Sequence, residues 1–352
     1  MQFVAAGKPL ELRHLETPKT VGRGVLVKVE VAGVCHSDIH LISGYYDLGN
    51  GKRLSTTDRG IRLPVTLGHE ISGKVAEIGT EAETDLINGD SVIVYPWLGC
   101  GSCRKCKTGK ENQCEVKPNS IGIFQDGGYA EYVLVPDAKY LINSKGLDPS
   151  QSAPLACSGI TAYSAVKKCE LGPNDFLVII GVGGLGSTAL QLVKKTTKAR
   201  VAVLDIDDTK LALAAKLGAD HVLNTRDLTR KDAVSGTRAF NSGLSADGVI
   251  DFVGNPTTTS LGFQLLGREG RLVLVGLFGG SVELPLPLFP LRGAGILGNF
   301  TGTLQDLIEL TEFARKGLVS PIVSQTFELE EVNLALEKLE QGKIEGRAVI
   351  KF

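Results

Sequence analysis

The sequence predicts a mixed α/β fold in two domains, a barrel-like β domain followed by a doubly wound domain built on a parallel sheet. Three observations carry this. The chain has 352 residues, 43% of them apolar and 22% charged, which supplies apolar material for two cores rather than one. Up to residue 156, short β segments alternate with glycine-rich turns, the pattern of a barrel-like β domain. From 157 to 298, apolar runs of strand length alternate with helical stretches, the pattern of parallel strands covered on both faces.

The β segments of the first region are "GVLVKVEVAGV" (24–34), "GKVAEIG" (73–79) and "DSVIVYP" (90–96). In the second region "FLVIIGVGGLG" (176–186) runs from a strand into a glycine turn, and "STALQLVKKTT" continues as a helix. "ARVAVLDID" (199–207), "GVIDFVGN" (248–255) and "GRLVLVGLFG" (270–279) read as further buried strands, with "TKLALAAKLGA" an amphipathic helix between. Residues 299–352 mix a helix, "LQDLIELTEFARKG", with a last strand, "GRAVIKF", and are expected to return to the first domain. No internal repeat or low-complexity stretch interrupts the chain, and a cleft between two such domains is the natural place for a site. The segment "SGYYDLGNGKRLSTTDRG" reads as a loop without a derivable course.

Charge excludes some classes. A formal net charge of −1 provides no field to gather phosphate backbones or anionic lipid, so no nucleic-acid or membrane partner is expected. The first residues turn charged before an apolar stretch reaches signal-peptide length, which predicts an intracellular protein with reduced thiols.

Four of the seven cysteines crowd into "GCGSCRKCKTGKENQC" (99–114). Cys100, Cys103, Cys106 and Cys114 follow the spacing CxxCxxCx₇C, which suits a closed tetrahedral site of the structural zinc type, with Lys105, Lys107 and Lys110 offsetting its charge. An iron–sulfur cluster is the rival, although ferredoxin spacing brings the next cysteine sooner and follows it with proline, and unliganded thiols are the remaining reading. A second set is scattered: Cys35 in "GVCHSDIH", His69 in "LPVTLGHEISG" and Cys157 in "APLACSGITAY". Two thiolates, one imidazole and a vacancy describe a catalytic zinc site, open to an alcohol or carbonyl oxygen. Asp38 is placed to hydrogen-bond a ligand imidazole, and Glu70 directly follows His69. Ser37 and His40 can supply a proton route from a buried site, though Ser and His near loops are common without such a role. Cys169 has no partner pattern and reads as a small buried hydrophobe.

The order strand, Gly181-x-Gly183-x-x-Gly186, helix is that of a dinucleotide-binding unit. Its glycines make the turn, admit the pyrophosphate and let helix and strand pack, and Gly184 and Leu185 complete the loop at the helix N-terminus. Asp205, about 20 residues on at the next strand end, is where a carboxylate holds the ribose hydroxyls, favouring NAD over NADP. The competing reading makes Asp205 the cap of the next helix, a role that Asp207 and Asp208 fill equally well.

The motifs "GVCHSD", "LPVTLGHE", the four-cysteine lobe, "GGYAEYVLVP" (127–136), "APLACSGITAY", "GVGGLG" and "GRAVIKF" together make the chain closely resemble the zinc-dependent medium-chain alcohol dehydrogenases, above all their bacterial and archaeal tetrameric branch. The resemblance implies a GroES-like catalytic domain with a zinc lobe over 1–156, a Rossmann NAD-binding domain over 157–298, and a return of 299–352 to the catalytic domain. It implies two Zn²⁺ per subunit, a catalytic ion on Cys35, His69 and Cys157 and a structural ion on the other four cysteines, with Glu70 a transient ligand. Some relatives carry aspartate as the third ligand, and this chain retains Cys157.

By the same matching, Ser37 takes the alcohol proton and passes it through the cofactor ribose towards His40, while Asp38 orients His69. Val275 and Leu277 match the strand end that recognises the nicotinamide carboxamide, and Arg347 the residue that reaches the pyrophosphate. His36 stands where liver-type members carry arginine, which weakens its phosphate contact. Trp97, Ser120 and Phe300 match the substrate pocket, a largely apolar set that favours simple alcohols, aldehydes and ketones over polyols. A cytoplasmic homotetramer using NAD(H) is the implied whole. A polyol or threonine dehydrogenase shares the scaffold, a non-enzymatic zinc-and-nucleotide relative would have lost part of this residue set, and a zinc-finger nucleic-acid module would need a basic surface.

Overall fold

The computed structural model describes residues 1–352, which divide into two compact units. The first comprises Met1–Tyr45, Ser55–Ile160 and Thr301–Phe352, and the second Tyr46–Leu54 and Thr161–Phe300. The sequence reading runs the first domain unbroken to 156, whereas the structure assigns residues 46–54 to the second unit.

The first unit is organised by the strand Val25–Val34, whose side chains are buried along almost its whole length. One edge pairs antiparallel with Glu70–Ile78, and the other is shared between Tyr132–Val135 and Arg347–Lys351. Ser91–Val94, Leu141–Asn143 and Val323–Glu328 extend this to seven strands. Register shifts between Leu26 and Val27 and between Val29 and Val31 add the local twist that lets one long strand serve three partners. The last strand is thus an integral member of the first unit's sheet.

The second unit holds six parallel strands in the order His221–Asn224, Arg200–Asp205, Phe176–Ile180, Ala246–Asp251, Leu266–Leu274 and Gly295–Gly298. All five side chains of the central Phe176–Ile180 are buried, as strands covered on both faces require. The order reverses beside this first strand, so its C-terminal end is the topological switch point where dinucleotides bind in open α/β sheets.

The segment read as an undefined loop contains a hairpin, Tyr45–Gly49 with Lys52–Ser55. Its two-residue turn, Asn50 at φ 53° and Gly51 at φ 73°, has the left-handed geometry that matches strand twist. Within the second unit, Asp47 O accepts from Gly280 N at 3.1 Å and Asn50 Nδ2 donates to Ser281 Oγ at 3.2 Å, which ties the hairpin to the 279–281 segment.

Candidate active site and metal centres

Cys35 follows the organising strand and caps the helix His36–Ser43. Asp38, three residues into that helix, accepts the Cys35 N–H on Oδ2 at 3.2 Å, so one side chain closes the helix start and faces the site. His69 precedes the strand Glu70–Ile78, and Cys157 follows the 3₁₀ turn Ala153–Ala156. Their donor atoms lie within 4.8 Å of one another, and all three side chains are buried.

This cluster fits a metal on its own chemistry. His69 is fully buried, yet neither ring nitrogen has a hydrogen-bond partner. Nδ1 lies 3.3 Å from Asp38 Oδ1, at ion-pair distance but off the alignment of a hydrogen bond, so the carboxylate orients the ring electrostatically. That leaves Nε2 buried beside the two sulfurs without a hydrogen bond of ordinary geometry, as befits a nitrogen built for a metal. Between the sulfurs, a hydrogen bond from Cys157 holds the Cys35 thiol well below its ordinary pKa, and the same bond, with burial, raises Cys157. A metal ion displaces that shared proton.

The four-cysteine lobe passes a sharper test. A tetrahedron with metal–sulfur arms near 2.3 Å has edges of about 3.8 Å. The lobe's Sγ atoms stand 3.5 Å apart for Cys103 and Cys106 and 3.9 Å apart for both Cys100–Cys106 and Cys103–Cys114. These edges enclose one ion and leave no room for a multi-iron cluster. Backbone N–H groups donate to two of these sulfurs, Cys103 N to Cys100 Sγ at 3.3 Å and Cys100 N and Lys117 N to Cys114 Sγ, both at 3.4 Å. Cys169 is a buried free thiol, pushed up to about 12 by desolvation.

Ser37 and His40 are half-buried on one face of the Cys35-capped helix, with Ser37 Oγ 3.6 Å from Cys35 Sγ. Burial lowers the His40 pKa, opposed by the Cys35 charge. His36, also half-buried, is the first residue of the helix. Glu70 is fully buried: Oε1 accepts the Ser158 N–H at 3.1 Å, and Oε2 pairs with Arg347 Nη2. Burial raises the Glu70 pKa to about 7 against the pull of Arg347. Arg347 lies inside the first unit beside Glu70. It is 3% exposed and serves as the counter-charge of Glu70, because a guanidinium inside the protein needs an anion beside it.

Trp97 is 3% exposed, and its ring lies 5.6 Å from that of His69. Its indole N–H donates to Ala156 O at 3.1 Å, next to Cys157, so one side chain braces two of the three clustered residues. Ser120 is buried opposite it in the pair Trp97–Leu98 with Asn119–Ser120. Phe300, in the second unit, is 45% exposed. Trp97→Phe strands a buried carbonyl, at about 1–3 kcal/mol. A melting temperature lower by about 3–8 °C, read calorimetrically, is the expected result.

In the second unit the helix Gly184–Thr196 starts from Gly183 at the end of the first strand, with Leu185 in its first turn. A Cβ at Gly186 would stand 2.1 Å from Gly181 O, so this close packing of helix on turn admits only glycine. Asp205 ends the next strand; its Oδ2 accepts Val182 N at 2.8 Å, and its Oδ1 accepts Ile206 N at 2.7 Å. The helix Asp208–Lys216 is capped by Asp207, which excludes the capping alternative for Asp205.

Val275, buried, and Leu277, exposed, follow the strand Leu266–Leu274. Asp251 O accepts from Val275 N and Gly276 N, while its carboxylate accepts Val253 N, Gly254 N and the hydroxyls of Thr258 and Thr259. Sequence reasoning missed Asp251. Its signal is an Asp at a strand end, as at Asp205. It also quoted Tyr129 within "GGYAEYVLVP" without assigning it; the phenol donates to Asp38 Oδ2 at 2.8 Å.

Residues 22–145 match the family described as an alcohol dehydrogenase GroES-like domain, and residues 184–316 the family described as a zinc-binding dehydrogenase. An NAD-dependent alcohol dehydrogenase of Sulfurisphaera tokodaii is 41% identical, covering 99% of each chain. An alcohol dehydrogenase of Geobacillus stearothermophilus is 39% identical over 98% of this chain and 96% of its own. The crystal structure of the alcohol dehydrogenase from Aeropyrum pernix superposes with a TM-score of 0.89 at 36% identity, covering 100% of this chain and 99% of that one.

Proposed function

The chain belongs to the zinc-dependent medium-chain alcohol dehydrogenases, and from that membership we propose that it interconverts primary or secondary alcohols with aldehydes or ketones, passing a hydride between substrate carbon and NAD. The observation that carries this is one chain holding both a buried Cys₂His cluster with an orphaned imidazole nitrogen and a glycine turn with a strand-end carboxylate.

Cys35, His69 and Cys157 would hold zinc, which would supply Lewis acidity towards an alcohol or carbonyl oxygen. NAD supplies the hydride acceptor, or as NADH the donor. Asp38 keeps the His69 ring turned for ligation. Ser37 accepts the substrate hydroxyl proton, and His40, one turn along the same helix face and kept neutral by burial, receives it on the way to solvent. Glu70, beside His69 and held by Arg347, offers a carboxylate for transient ligation. For the cofactor, the N–H groups at Gly183, Gly184 and Leu185 would receive the pyrophosphate, Asp205 would bind the ribose diol, the backbone at Val275 and Leu277 would take the carboxamide, and His36 would add a phosphate contact. Trp97 and Ser120 would line the substrate site in the first unit.

Cys100, Cys103, Cys106 and Cys114 hold a second, structural zinc, making two per chain. Metal analysis is expected to give two zinc atoms per chain, falling to one in Cys106→Ser. That variant is expected to melt at least roughly 5 °C lower, given about 2–4 °C per kcal/mol in a large domain.

A homotetramer fits the exposed apolar side chain Leu297 on Gly295–Gly298, the strand that ends the parallel sheet, and the exposed Leu286 and Leu291 in the segment leading to it. A cytoplasmic location fits seven unpaired cysteines, and no helix is long and apolar enough to cross a membrane. The proposal is tested with primary, secondary, cyclic and polyol substrates and both nicotinamide cofactors. NAD-linked turnover of simple alcohols is expected, and no turnover of any alcohol or carbonyl would overturn it.

A further inference from the structure

The Asp38 carboxylate faces two ways. Its Oδ1 is 3.3 Å from His69 Nδ1, and its Oδ2 receives two donors, the Cys35 N–H at 3.2 Å and the Tyr129 hydroxyl at 2.8 Å. All the side chains in this line are buried, and those of Asp38, His69 and Tyr129 completely so. A phenol has one proton to give. The only other acceptor recorded for it, Gly33 O, is longer at 3.3 Å, so the proton goes to Asp38. Burial, reinforced by the Asp38 charge, raises the Tyr129 pKa well above its ordinary value and keeps that proton in place.

The backbone sets Tyr129 at this spot. Tyr129 N donates to Leu67 O at 2.9 Å and Gly128 N to Gly68 O at 2.7 Å, so "GGY" runs alongside "LGH". Tyr129 also packs where a Gly68 side chain would be: a Cβ there would meet ring atom Cδ1 at 2.7 Å. Its ring therefore wedges against the residue before His69, while its hydroxyl reaches the carboxylate on the far side of the same imidazole.

We propose that Tyr129 is a positioning residue for the reactive metal site: its hydroxyl fixes the Asp38 carboxylate, and through it the orientation and electron donation of His69. This rests on the reading that Cys35, His69 and Cys157 hold the metal. A hydrogen bond to one carboxylate oxygen fixes the rotamer of the other and draws charge away from it. Without the hydroxyl, Asp38 keeps only the longer Cys35 N–H and no longer holds Nδ1 in one place. Tyr129→Phe keeps the ring that fills the space over Gly68, so the substitution removes the hydroxyl alone.

The test uses the full-length enzyme with cobalt(II) in place of zinc, whose visible bands report the ligand field. Tyr129→Phe is expected to shift those bands and to speed metal transfer from this site to a chelator by about 3–10-fold, below the 10–100-fold typical of a group touching the ligand itself. In an Asp38→Asn background the same substitution is expected to change transfer by less than about 1.5-fold, because Tyr129 acts only through Asp38. Unshifted bands and unchanged transfer in Tyr129→Phe, even with a lower melting temperature, would reduce Tyr129 to a packing residue. Equal effects in both backgrounds would likewise defeat the proposal. Failure of the underlying metal reading looks different: the unsubstituted enzyme would then show no cobalt bands that Cys157→Ala removes.

Discussion

Cys157→Ala is expected to abolish alcohol-dependent NADH formation, by a factor of about 10³ or more, while the chain stays folded. The factor follows from what is lost: Lewis-acid stabilisation is worth several kcal/mol, and each 1.36 kcal/mol is tenfold in rate. Cys157 is 5% exposed at the end of a four-residue 3₁₀ turn, and removing one sulfur leaves a two-donor site that no longer encloses an ion. The fold survives because neighbouring groups hold that turn without the thiol. Ala156 O is bonded by Trp97, Ser158 N by Glu70, and Ser158 Oγ donates to Pro154 O at 2.9 Å. The measurement pairs initial rates with circular dichroism and zinc content. Retained turnover in a folded variant carrying one zinc would remove Cys157 from the reaction.

The candidate ligands can be read from the sequence because each sits in a short segment with its own signal, and a thiol or imidazole beside glycine is conspicuous. Their supporting contacts are not readable in the same way. Tyr129 meets Asp38 across 91 residues and Trp97 meets Ala156 across 59, and both meetings depend on strand register, which periodicity leaves open. Arg347 illustrates the same limit. It is legible as a basic residue at the head of the last strand, but its burial against Glu70 follows from Ala348 pairing with Val34 and Gly33 with Glu70. The inner strands of the parallel sheet were easier to read, since each buried run announces itself locally, whereas His221–Asn224 and Gly295–Gly298 at the two edges are only partly buried and carry no such signal. The Tyr45–Gly49 and Lys52–Ser55 hairpin went unread although its signal was present. Asn50-Gly51 between two short runs is a two-residue turn, masked by the polar character of the strands around it.

Asp205→Asn is expected to raise the NADP-over-NAD ratio of kcat/KM by about 10–100-fold. Hydrogen bonds from ribose hydroxyls to a charged acceptor contribute about 1.5–3 kcal/mol, and about 1.4 kcal/mol is tenfold in affinity. The same charge repels a 2′-phosphate, so removing it weakens one cofactor and admits the other. Asparagine is the informative choice, because the carboxylate also accepts the N–H groups of Val182, Ile206 and Asp207. Glycine would leave all of those donors unpaired and loosen the turn, mixing a structural defect with the charge effect, whereas an amide oxygen keeps an acceptor for those on one side, Ile206 N and Asp207 N or Val182 N. Asp207→Asn serves as control: it removes one negative charge two residues away and keeps a comparable cap on the helix Asp208–Lys216, without touching the ribose carboxylate. Rates with both cofactors at saturating alcohol decide the matter. A ratio that moves no more in Asp205→Asn than in Asp207→Asn would show that cofactor choice is set elsewhere in the nucleotide domain, and that Asp205 only braces the glycine turn.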